Sequence, residues 1–231
     1  MRSRSIALAV IVGLIAWSAH AAEPAWEFAE EKDGVKVYTR PIPGVEFREF
    51  KGVAVIEAPI EVLGTVLRDI ESFPQWFADC KHTRIIEKID DNTFIFLFVQ
   101  GAPWPVSDRD VVLKASTRVD WHGGRAVVDL VSMDDPRQPP TKERVRLRSM
   151  TGHFVFEYQT RNRTKVSYSI KADPSGSLPA ALANSTTRKY PLDTLKGMRR
   201  MATMAKYREA AVASSDARAI DQLVAEGVLK P

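Results

Sequence analysis

The sequence predicts an α+β fold in which a curved antiparallel β-sheet wraps around a long C-terminal α-helix and leaves an apolar cavity between them. Residues 83–172 alternate between short apolar runs and turn signals, as in an antiparallel meander. Residues 59–70 carry apolar side chains at helical spacing. The stretch after residue 178 has one long apolar stripe, which is typical of a helix that lies on a sheet. Because a sheet curves with its twist, this helix can lie across the concave face.

The first residues predict an exported protein. Arg2 and Arg4 precede the short apolar run Ile6–Trp17, and Ala19-His20-Ala21 supplies the small residues of a cleavage site. We therefore expect a signal peptide over 1–21 and a periplasmic or secreted mature protein. An uncleaved membrane anchor is the alternative, although the apolar run is short for a transmembrane helix.

Cleavage would leave 210 residues, enough for one domain with a sizeable core. We expect this domain over 22–210, followed by a helical tail over 211–231. Cleavage also lowers the formal net charge from +4 to +2, so net charge alone does not indicate a partner. Cys80 is the only cysteine, which excludes an intramolecular disulfide. We interpret it as a partly buried packing residue rather than as a catalytic thiol.

The N-terminal quarter of the mature chain predicts two helices separated by a hairpin. Glu23–Lys32 is compatible with a short amphipathic helix, and Asp33-Gly34 is a turn signal. Val35–Arg40 and Glu46–Ile56 alternate as half-buried strands. Pro59–Ile70 predicts a helix, because proline suits a first helical turn and apolar residues follow at helical spacing.

The middle of the chain predicts the meander. Thr93–Val99 is apolar on both faces, so this strand is buried on both sides or lines an apolar interior with one of them. The remaining predicted strands are Thr83–Ile89, Arg109–Val119, Arg125–Ser132, Val145–Met150, His153–Gln159 and Thr164–Ala172.

The C-terminal stretch predicts one long amphipathic helix and a shorter helical segment. The apolar stripe of the long helix comprises Leu178, Leu182, Leu192, Leu195, Met198, Met201 and Ala205. Pro191 falls inside this stretch and is expected to kink the helix or divide it into two segments. Asp216–Leu229 predicts a final helix that is packed outside the main fold or frayed.

Motifs of common enzymes are absent from the sequence. There is no Gly-x-Ser-x-Gly elbow, no phosphate-binding glycine loop and no His-Glu-x-x-His helix. His82, His122 and His153 are scattered and lack the spacing of metal ligands. The sequence therefore offers no candidate catalytic residue, and we expect no metal and no cofactor.

One predicted strand begins with a charged residue on its apolar face. Alternation groups Arg109 with Val111 and directs Asp110 toward water. A buried arginine is costly unless it is paired or contacts a ligand. Asp129 is a candidate partner, since it lies between two valines on its own strand. An ion pair and a ligand contact are compatible, because a guanidinium group has five N–H donors.

Aromatic residues at alternate positions provide either a packed core or the wall of a cavity. Phe94, Phe96 and Phe98 share one face of their strand, and Phe154 and Phe156 share one face of another. Tyr168 lies between Val166 and Ile170 on one face of the following strand. Alternation does not decide between the two roles.

Four short motifs occur in a characteristic order. They are Asp33-Gly34-Val35-Lys36-Val37-Tyr38, Trp76, Trp104 with Ser107-Asp108-Arg109-Asp110, and Asp173-Pro174-x-Gly176-x-Leu178-Pro179. In this order and spacing they resemble a StAR-related lipid transfer (START) domain of the helix-grip superfamily. The resemblance extends from about Trp26 to Arg208, nearly the whole mature chain.

The resemblance implies a non-enzymatic module that encloses one hydrophobic lipid, of the sterol or phospholipid class, and transfers it between membranes. It implies that Gly101–Ser107 and Leu178–Met204 form a lid, and that Arg109 meets the polar group of the lipid. The expected cavity residues are Arg109, Asp129, Trp104, Phe94, Phe96, Phe98, Phe154, Phe156, Tyr168, Leu182 and Met198.

The predicted lid helix is basic. Residues 178–208 carry seven basic side chains and one acidic one, a local charge of +6, whereas the rest of the mature chain sums to −4. We expect Lys196, Arg199 and Arg200 to dock on an anionic membrane surface, although a solvated helix face explains the charge equally well. Export removes the usual nucleic acid partners, and we expect a monomer.

Two other classes of function compete with lipid transfer. A sensor would bind a hydrophobic ligand without moving it between membranes. An aromatase/cyclase-like enzyme would hold a polyketide in the same cavity, but the sequence offers no clear acid/base pair for such a reaction.

Overall fold

A computed structural model of the chain describes residues 23–102, 104–173, 175 and 179–231. The predicted signal peptide over 1–21, Pro103 of the predicted lid loop, and Pro174, Gly176 and Leu178 of the motif before the last helix lie outside the described residues.

Ten strands form one sheet, in the order β1-β2-β3-β10-β9-β7-β6-β5-β4, with β8 pairing with β6. All neighbours are antiparallel except β8 and β6. The strands are β1 Glu27–Lys32, β2 Val35–Pro41, β3 Arg48–Ile56, β4 Cys80–Asp90, β5 Thr93–Gln100, β6 Arg109–Asp120, β7 Arg125–Met133, β8 Val145–Arg146, β9 Ser149–Thr160 and β10 Arg163–Asp173. The predicted antiparallel sheet is confirmed.

The N-terminal segment is a strand, so the predicted helix over Glu23–Lys32 is wrong. Strand β1 pairs with β2 through the turn at Asp33 and Gly34, which both have positive φ angles of 53° and 72°. Two such residues form the tight turn that matches the twist of a hairpin. Phe28 is 60% exposed at this edge of the sheet, so β1 buries little apolar surface.

A helical insertion connects the N-terminal strands to the meander. Helix α1, Ile60–Arg68, begins directly after Pro59, and a 3₁₀-helix follows at Ile70–Gln75. The insertion carries Phe73, Trp76 and Phe77 into the core, where each is at most 6% exposed.

The predicted C-terminal helix is divided in two, as Pro191 suggested. The helices are α2 Ala180–Thr187, α3 Lys189–Met201, α4 Ala205–Val212 and α5 Ser215–Ala225. Leu195 and Met198 of α3 are fully buried against the inner face of the sheet. The close approach requires Gly52 in β3, since a Cβ atom there would lie 2.9 Å from Cβ of Pro191. A sheet packed around a C-terminal helix confirms the predicted α+β class.

Helix α4 and the C-terminal tail pack on the body of the protein. Tyr207 of α4 donates a hydrogen bond to Asp69 at 2.9 Å, and Arg161 contacts Asp221 of α5 at 2.8 Å. The Tyr158 hydroxyl donates to the carbonyl of Lys230 at 2.6 Å. The tail therefore covers the end of the sheet near the β9–β10 turn.

The outer face of the sheet has a smaller apolar cluster of its own. It comprises Ile95, Leu97, Val99 and Val112, packed against Ile86 and Met133. The inner faces of β5 and β6 contribute to the main core. Both faces of β5 are therefore buried, as its continuous apolar run predicted.

Candidate functional site

A cavity lies at one end of the inner face, where α2 and the start of α3 meet the sheet and the loop between β5 and β6. Its free volume is about 60 Å³. We call it the first cavity. Its lining is Phe47, Arg48, Gln100, Gly101, Ala102, Val106, Arg109, Leu147, Met150, Ile170, Ala172, Leu182, Ala183, Asn184, Thr186, Thr187 and Tyr190.

Arg109 is the buried charged residue of this cavity, whereas Arg48, the other charged residue of the lining, is only partly buried. Arg109 is the first residue of β6 and is only 8% exposed, on the same face as the buried Val111 and Leu113. Its guanidinium Nη1 donates a hydrogen bond to the carbonyl of Ser107. Among the described residues, no carboxylate lies within ion-pair distance of this guanidinium. The predicted direction of Arg109 is confirmed, and its remaining donors are left for another acceptor.

Asp129 does not pair with Arg109, so that predicted contact is wrong. The buried face of β7 carries Ala126, Val128 and Leu130, which places Asp129 on the outer face. There its carboxylate contacts His153 Nδ1 at 2.6 Å and Arg118 Nη1 at 2.5 Å.

Asp110 does not point to water, which corrects the second half of the same prediction. It is 1% exposed, and Arg146 of β8 donates to its carboxylate at 2.7 Å. The loop after β7 returns over the outer face of the sheet and brings Arg146 there. A local alternation count could not detect this cover, because the loop is 36 residues away.

The predicted aromatic wall is largely a packed core. Phe77 contacts Phe98, Phe154 and Tyr168 with ring centroids 5.3, 6.2 and 5.7 Å apart. Phe154 stacks on Tyr168 at 4.2 Å. We call these four residues the aromatic partition. Of the predicted cavity residues, Arg109 and Leu182 line the first cavity, whereas Asp129 and the members of the partition do not.

The other predicted aromatic residues lie on the far side of the partition. Phe94, Phe96 and Phe156 line a second cavity, beside α1. Met198 is fully buried in the core between the sheet and α3. The structure therefore distributes the predicted set over the two cavities, the packed core, the outer face of the sheet (Asp129) and the exposed tip of a loop (Trp104).

The loop before β6 is held at its base by hydrogen bonds, and its tip is exposed to solvent. Asp108 accepts hydrogen bonds from Lys81 at 2.9 Å and from the backbone N–H of Ala102 at 3.1 Å. The hydrogen bond from Lys81 is the main reason that the pKa of Asp108 is lowered. Trp104 at the tip is 93% exposed and lies between cavity-lining Ala102 and Val106.

Helix α2 forms one wall of the first cavity and makes few buried contacts. Ala183 is its only residue that is described as buried. Asn184 holds the helix to the loop before β3, because its side chain accepts from the backbone N–H of Arg48 at 2.9 Å and donates to the carbonyl of Glu46 at 3.0 Å.

Comparison with known proteins assigns the architecture. The family model for the START domain matches residues 16–210. The chain belongs to the START domain family. A StAR-related lipid transfer protein from Xanthomonas axonopodis has a crystal structure that is similar at 31% sequence identity and a TM-score of 0.71, covering 78% of this chain and 99% of that one.

Two more distant relatives extend the comparison. An uncharacterized protein of Pseudomonas aeruginosa is 29% identical over 174 residues, which span 75% of this chain and 85% of the relative. The structure of human STARD10 has 22% identity and a TM-score of 0.72, covering 82% of this chain and 78% of that one. At that identity the likeness to STARD10 shows the fold alone.

Sequence reasoning missed Tyr190 of this START domain. Tyr190 is 8% exposed and lines the first cavity; burial, followed by the charge of Asp79, raises the pKa of its hydroxyl. The Tyr168 hydroxyl is buried, and among the described side chains it has no hydrogen-bond partner. Burial raises the pKa of Tyr168 as well, so both hydroxyls stay protonated as donors. Helical spacing from Ala183 through Tyr190 to Thr194 was the signal that could have found Tyr190.

The predicted docking residues of the START domain hold α3 to its body. Lys196 contacts the Asp33 carboxylate at 2.5 Å, and Arg199 donates to the Asp33 carbonyl at 2.8 Å. Arg200 donates to the carbonyl of Gln75 at 2.5 Å. Arg200 lies ten residues after Tyr190 on α3, or about 15 Å along the axis at 1.5 Å per residue. A role of the three in membrane docking stays a prediction.

In the part of the chain that the structure describes, no three His, Cys, Asp or Glu side chains are grouped so that they could hold a metal ion. None of the described helices combines the length and the apolar character needed to cross a membrane.

Proposed function

We propose that this START domain binds one lipid in the first cavity, with Arg109 at the polar end of the lipid, and acts as a binding protein rather than an enzyme. The observation that carries the proposal is a buried guanidinium in a mostly apolar wall, with no carboxylate partner among the described residues. A buried cation is costly in that state unless a ligand supplies an acceptor. The name of the Xanthomonas relative, a lipid transfer protein, agrees with this function.

The chemistry of the site favours a lipid whose head group accepts hydrogen bonds. Arg109 is always cationic and offers its unused N–H donors, and the protonated hydroxyl of Tyr190 lies in the same wall. A phosphate group or a sterol hydroxyl satisfies such donors. The proposed ligand is therefore of the phospholipid or sterol class.

Uptake of a lipid requires the first cavity to widen. Its free volume of about 60 Å³ compares with the roughly 300–1,000 Å³ of pockets that enclose drug-sized ligands. The parts with the fewest buried contacts around it are α2, which buries only Ala183, and the tip of the loop at Trp104. We propose that these two parts form the lid.

The surroundings of the mouth suit contact with a membrane. Trp104, Val45 and Leu182 are 93%, 51% and 43% exposed. Trp104 and Leu182 flank or line the cavity, and Val45 is two residues from cavity-lining Phe47. Tryptophan is favoured at membrane interfaces, because one end of its ring system is apolar and its N–H is polar. We propose that this surface docks on the bilayer and that the protein transfers its lipid between membranes.

Native mass spectrometry of the purified protein tests the binding proposal. We expect a bound lipid in the wild-type protein and at least about tenfold weaker retention in Arg109→Leu. Arg118→Leu is the matched control, since Arg118 is on the same strand but faces outward and pairs with Asp129. Thermal unfolding must accompany the measurement. An Arg109→Leu variant that retains lipid, or that loses lipid only because it unfolds, would contradict the proposed contact.

A vesicle assay separates transfer from sensing. A transfer protein moves a labelled lipid from donor to acceptor vesicles, whereas a sensor binds it without moving it. We expect Trp104→Ala to slow transfer several-fold while leaving the fold intact, because the side chain is almost fully exposed. A variant with Lys196, Arg199 and Arg200 neutralised tests the predicted docking role: an unchanged rate from anionic vesicles would remove it.

We further propose that the protein is exported to the periplasm or secreted. Support for this comes from the sequence over 1–21 alone. Fractionation of expressing cells, with mass measurement of the mature chain, tests it. A chain that retains residues 1–21 in the cytoplasmic fraction would contradict export.

A further inference from the structure

A second cavity lies at the opposite end of the inner face from the first. It is bounded by α1, the 3₁₀-helix, strands β5, β6, β7 and β9, and the start of α5, and its free volume is about 40 Å³. The two cavities share no lining residue. The aromatic partition lies between them, and Phe73, which lines the second cavity, packs on Phe77 of the partition at 5.2 Å. The second cavity is therefore a separate space in this structure.

The second cavity has a mouth of its own on the protein surface. Val119 on its rim is 44% exposed, and Trp121 and Phe94 are half-buried. Arg68 of α1 and Asp216 of α5 also border it and form an ion pair at 2.9 Å. This mouth lies between the β6–β7 turn, α1 and α5, and it is separate from the first cavity.

One buried carboxylate lies in the mostly apolar wall of the second cavity. Glu61 of α1 lines the cavity and is 3% exposed. Its Oε1 lies 2.6 Å from Arg161 Nη1, an ion-pair distance, although this buried nitrogen makes no hydrogen bond among the described residues. Its Oε2 is buried and has no hydrogen-bond partner among the described residues. A buried, unpartnered carboxylate oxygen is destabilising unless a donor reaches it.

The charges around Glu61 determine which head group fits. Glu61, Asp216 and Asp221 are acidic, whereas Arg68 and Arg161 are basic, so the group has a net charge of −1. An ionised carboxylate only accepts hydrogen bonds. Carboxylate and phosphate head groups are therefore repelled, and hydroxyl and ammonium groups are favoured. This preference is the reverse of that expected at Arg109.

We propose that the second cavity is a separate binding site for an amphiphile with a hydrogen-bond-donating head group, which donates to Glu61 Oε2 while its alkyl part lies against Phe73, Phe94, Phe96 and Phe156. Ligand entry opens the Arg68–Asp216 pair at the rim and widens the cavity, whose free volume of about 40 Å³ is smaller than that of the first. The site is independent of lipid binding in the first cavity, and each can fail without the other.

Three probes with the same alkyl chain test the head-group preference: 1-decanol, decylamine and decanoate. Binding to the full-length protein is measured by isothermal titration calorimetry and by native mass spectrometry. We expect decanol and decylamine to bind at least about tenfold more tightly than decanoate at this site. Equal binding of decanoate there, or no binding of any probe to the folded protein, would overturn the proposal.

Variants assign the binding to one cavity or the other. Gly64→Leu fills the second cavity, since a Cβ atom at Gly64 meets only Arg68 Nη1, at 3.5 Å. We expect it to abolish decanol binding, and Arg109→Leu to leave that binding unchanged. The reverse result places decanol in the first cavity and refutes the second site. If Gly64→Leu does not fold, Ala126→Leu fills the same cavity from β7, where Ala126 is 7% exposed.

Glu61→Gln separates the role of charge from that of hydrogen bonding. Glutamine keeps an acceptor oxygen at nearly the same size but removes the negative charge. We expect decylamine to lose at least about tenfold in affinity relative to decanol in this variant. An unchanged ratio would show that the head group does not reach Glu61.

Discussion

The contact between α3 and the helical insertion predicts opposite effects for one substitution at two helical glycines. At Gly197 of α3, a Cβ atom would lie 2.1 Å from the backbone oxygen of Trp76 and 2.9 Å from its carbonyl carbon. Real Cβ contacts are essentially never below 3.0 Å, so Gly197→Ala requires the helix and this backbone to separate by about 1 Å. Neither partner has a flexible side chain that can move aside.

The expected magnitude follows from two opposing terms. Overpacking of a core contact costs about 1–3 kcal/mol, and a rigid backbone neighbour places Gly197→Ala at the upper end. Alanine in place of glycine within a helix recovers about 0.5–1 kcal/mol. The net loss is about 2 kcal/mol, which for a domain of this size lowers Tm by about 4–8 °C.

Gly64→Ala is the matched control. Gly64 is in α1, and the added Cβ atom would meet only the end of the Arg68 side chain, at 3.5 Å. We therefore expect the helix-propensity gain of about 0.5–1 kcal/mol without overpacking, a rise in Tm of about 1–4 °C. Urea denaturation and calorimetry of both variants measure the difference. A Gly197→Ala protein as stable as the wild type would refute the reasoning, because it would show that α3 is not held against Trp76 at this distance.

Three further predictions address the core, the outer face and the lid. Burial raises the pKa of the Cys80 thiol to about 12, so at pH 8 the thiol stays protonated and a thiol reagent should label it only after denaturation. Arg146→Met should lower the free energy of unfolding by about 3 kcal/mol, because it leaves Asp110 buried and unpaired, and the double variant with Asp110→Asn should recover much of that loss in urea titrations. Hydrogen exchange followed by mass spectrometry should show faster exchange in α2 than in α3; equal protection would contradict a lid at α2.

Residue alternation predicted most of the meander because its strands place apolar side chains regularly. The strand after Asp33-Gly34 was predicted for the same reason, and the turn itself was predicted from its Asp-Gly sequence. The strand before the turn was not, since β1 carries Glu27, Glu30, Glu31 and Lys32 and buries little apolar surface. Edge strands are often charged in this way, which prevents pairing with other chains but also removes the alternation signal.

Alternation gave the direction of Arg109 correctly and that of Asp129 wrongly. On β7, the neighbours of Asp129 on its own face are valines, and the residues of the opposite face are apolar as well. The sequence therefore does not show which face is inside. The side chains that pair with Asp129 decide which face is inside, and they come from other parts of the chain. The aromatic partition could not be predicted for the same reason. Phe77 belongs to the helical insertion, and its ring packs between residues of strands that are distant in sequence.

The energetics of α2 and α3 favour an opening that moves α2 alone. Moving α3 would expose Leu192, Leu195 and Met198, each of which contributes about 1.5–3 kcal/mol when fully buried. Moving α2 breaks the two hydrogen bonds of Asn184, worth about 1 kcal/mol each, and exposes little apolar surface.

The contacts at the junction between α2 and α3 permit such a movement. Pro191 has no N–H, so the hydrogen bond that would tie α3 to the last turn of α2 is missing. Arg188, at the junction, is held to β1 by an ion pair with Glu30 at 2.8 Å and by a hydrogen bond to the carbonyl of Ala29 at 3.3 Å. With α3 fixed beneath the junction and Arg188 fixed beside it, α2 can turn about this point. In the proposed opening, the first cavity widens while the core around Leu195 stays intact.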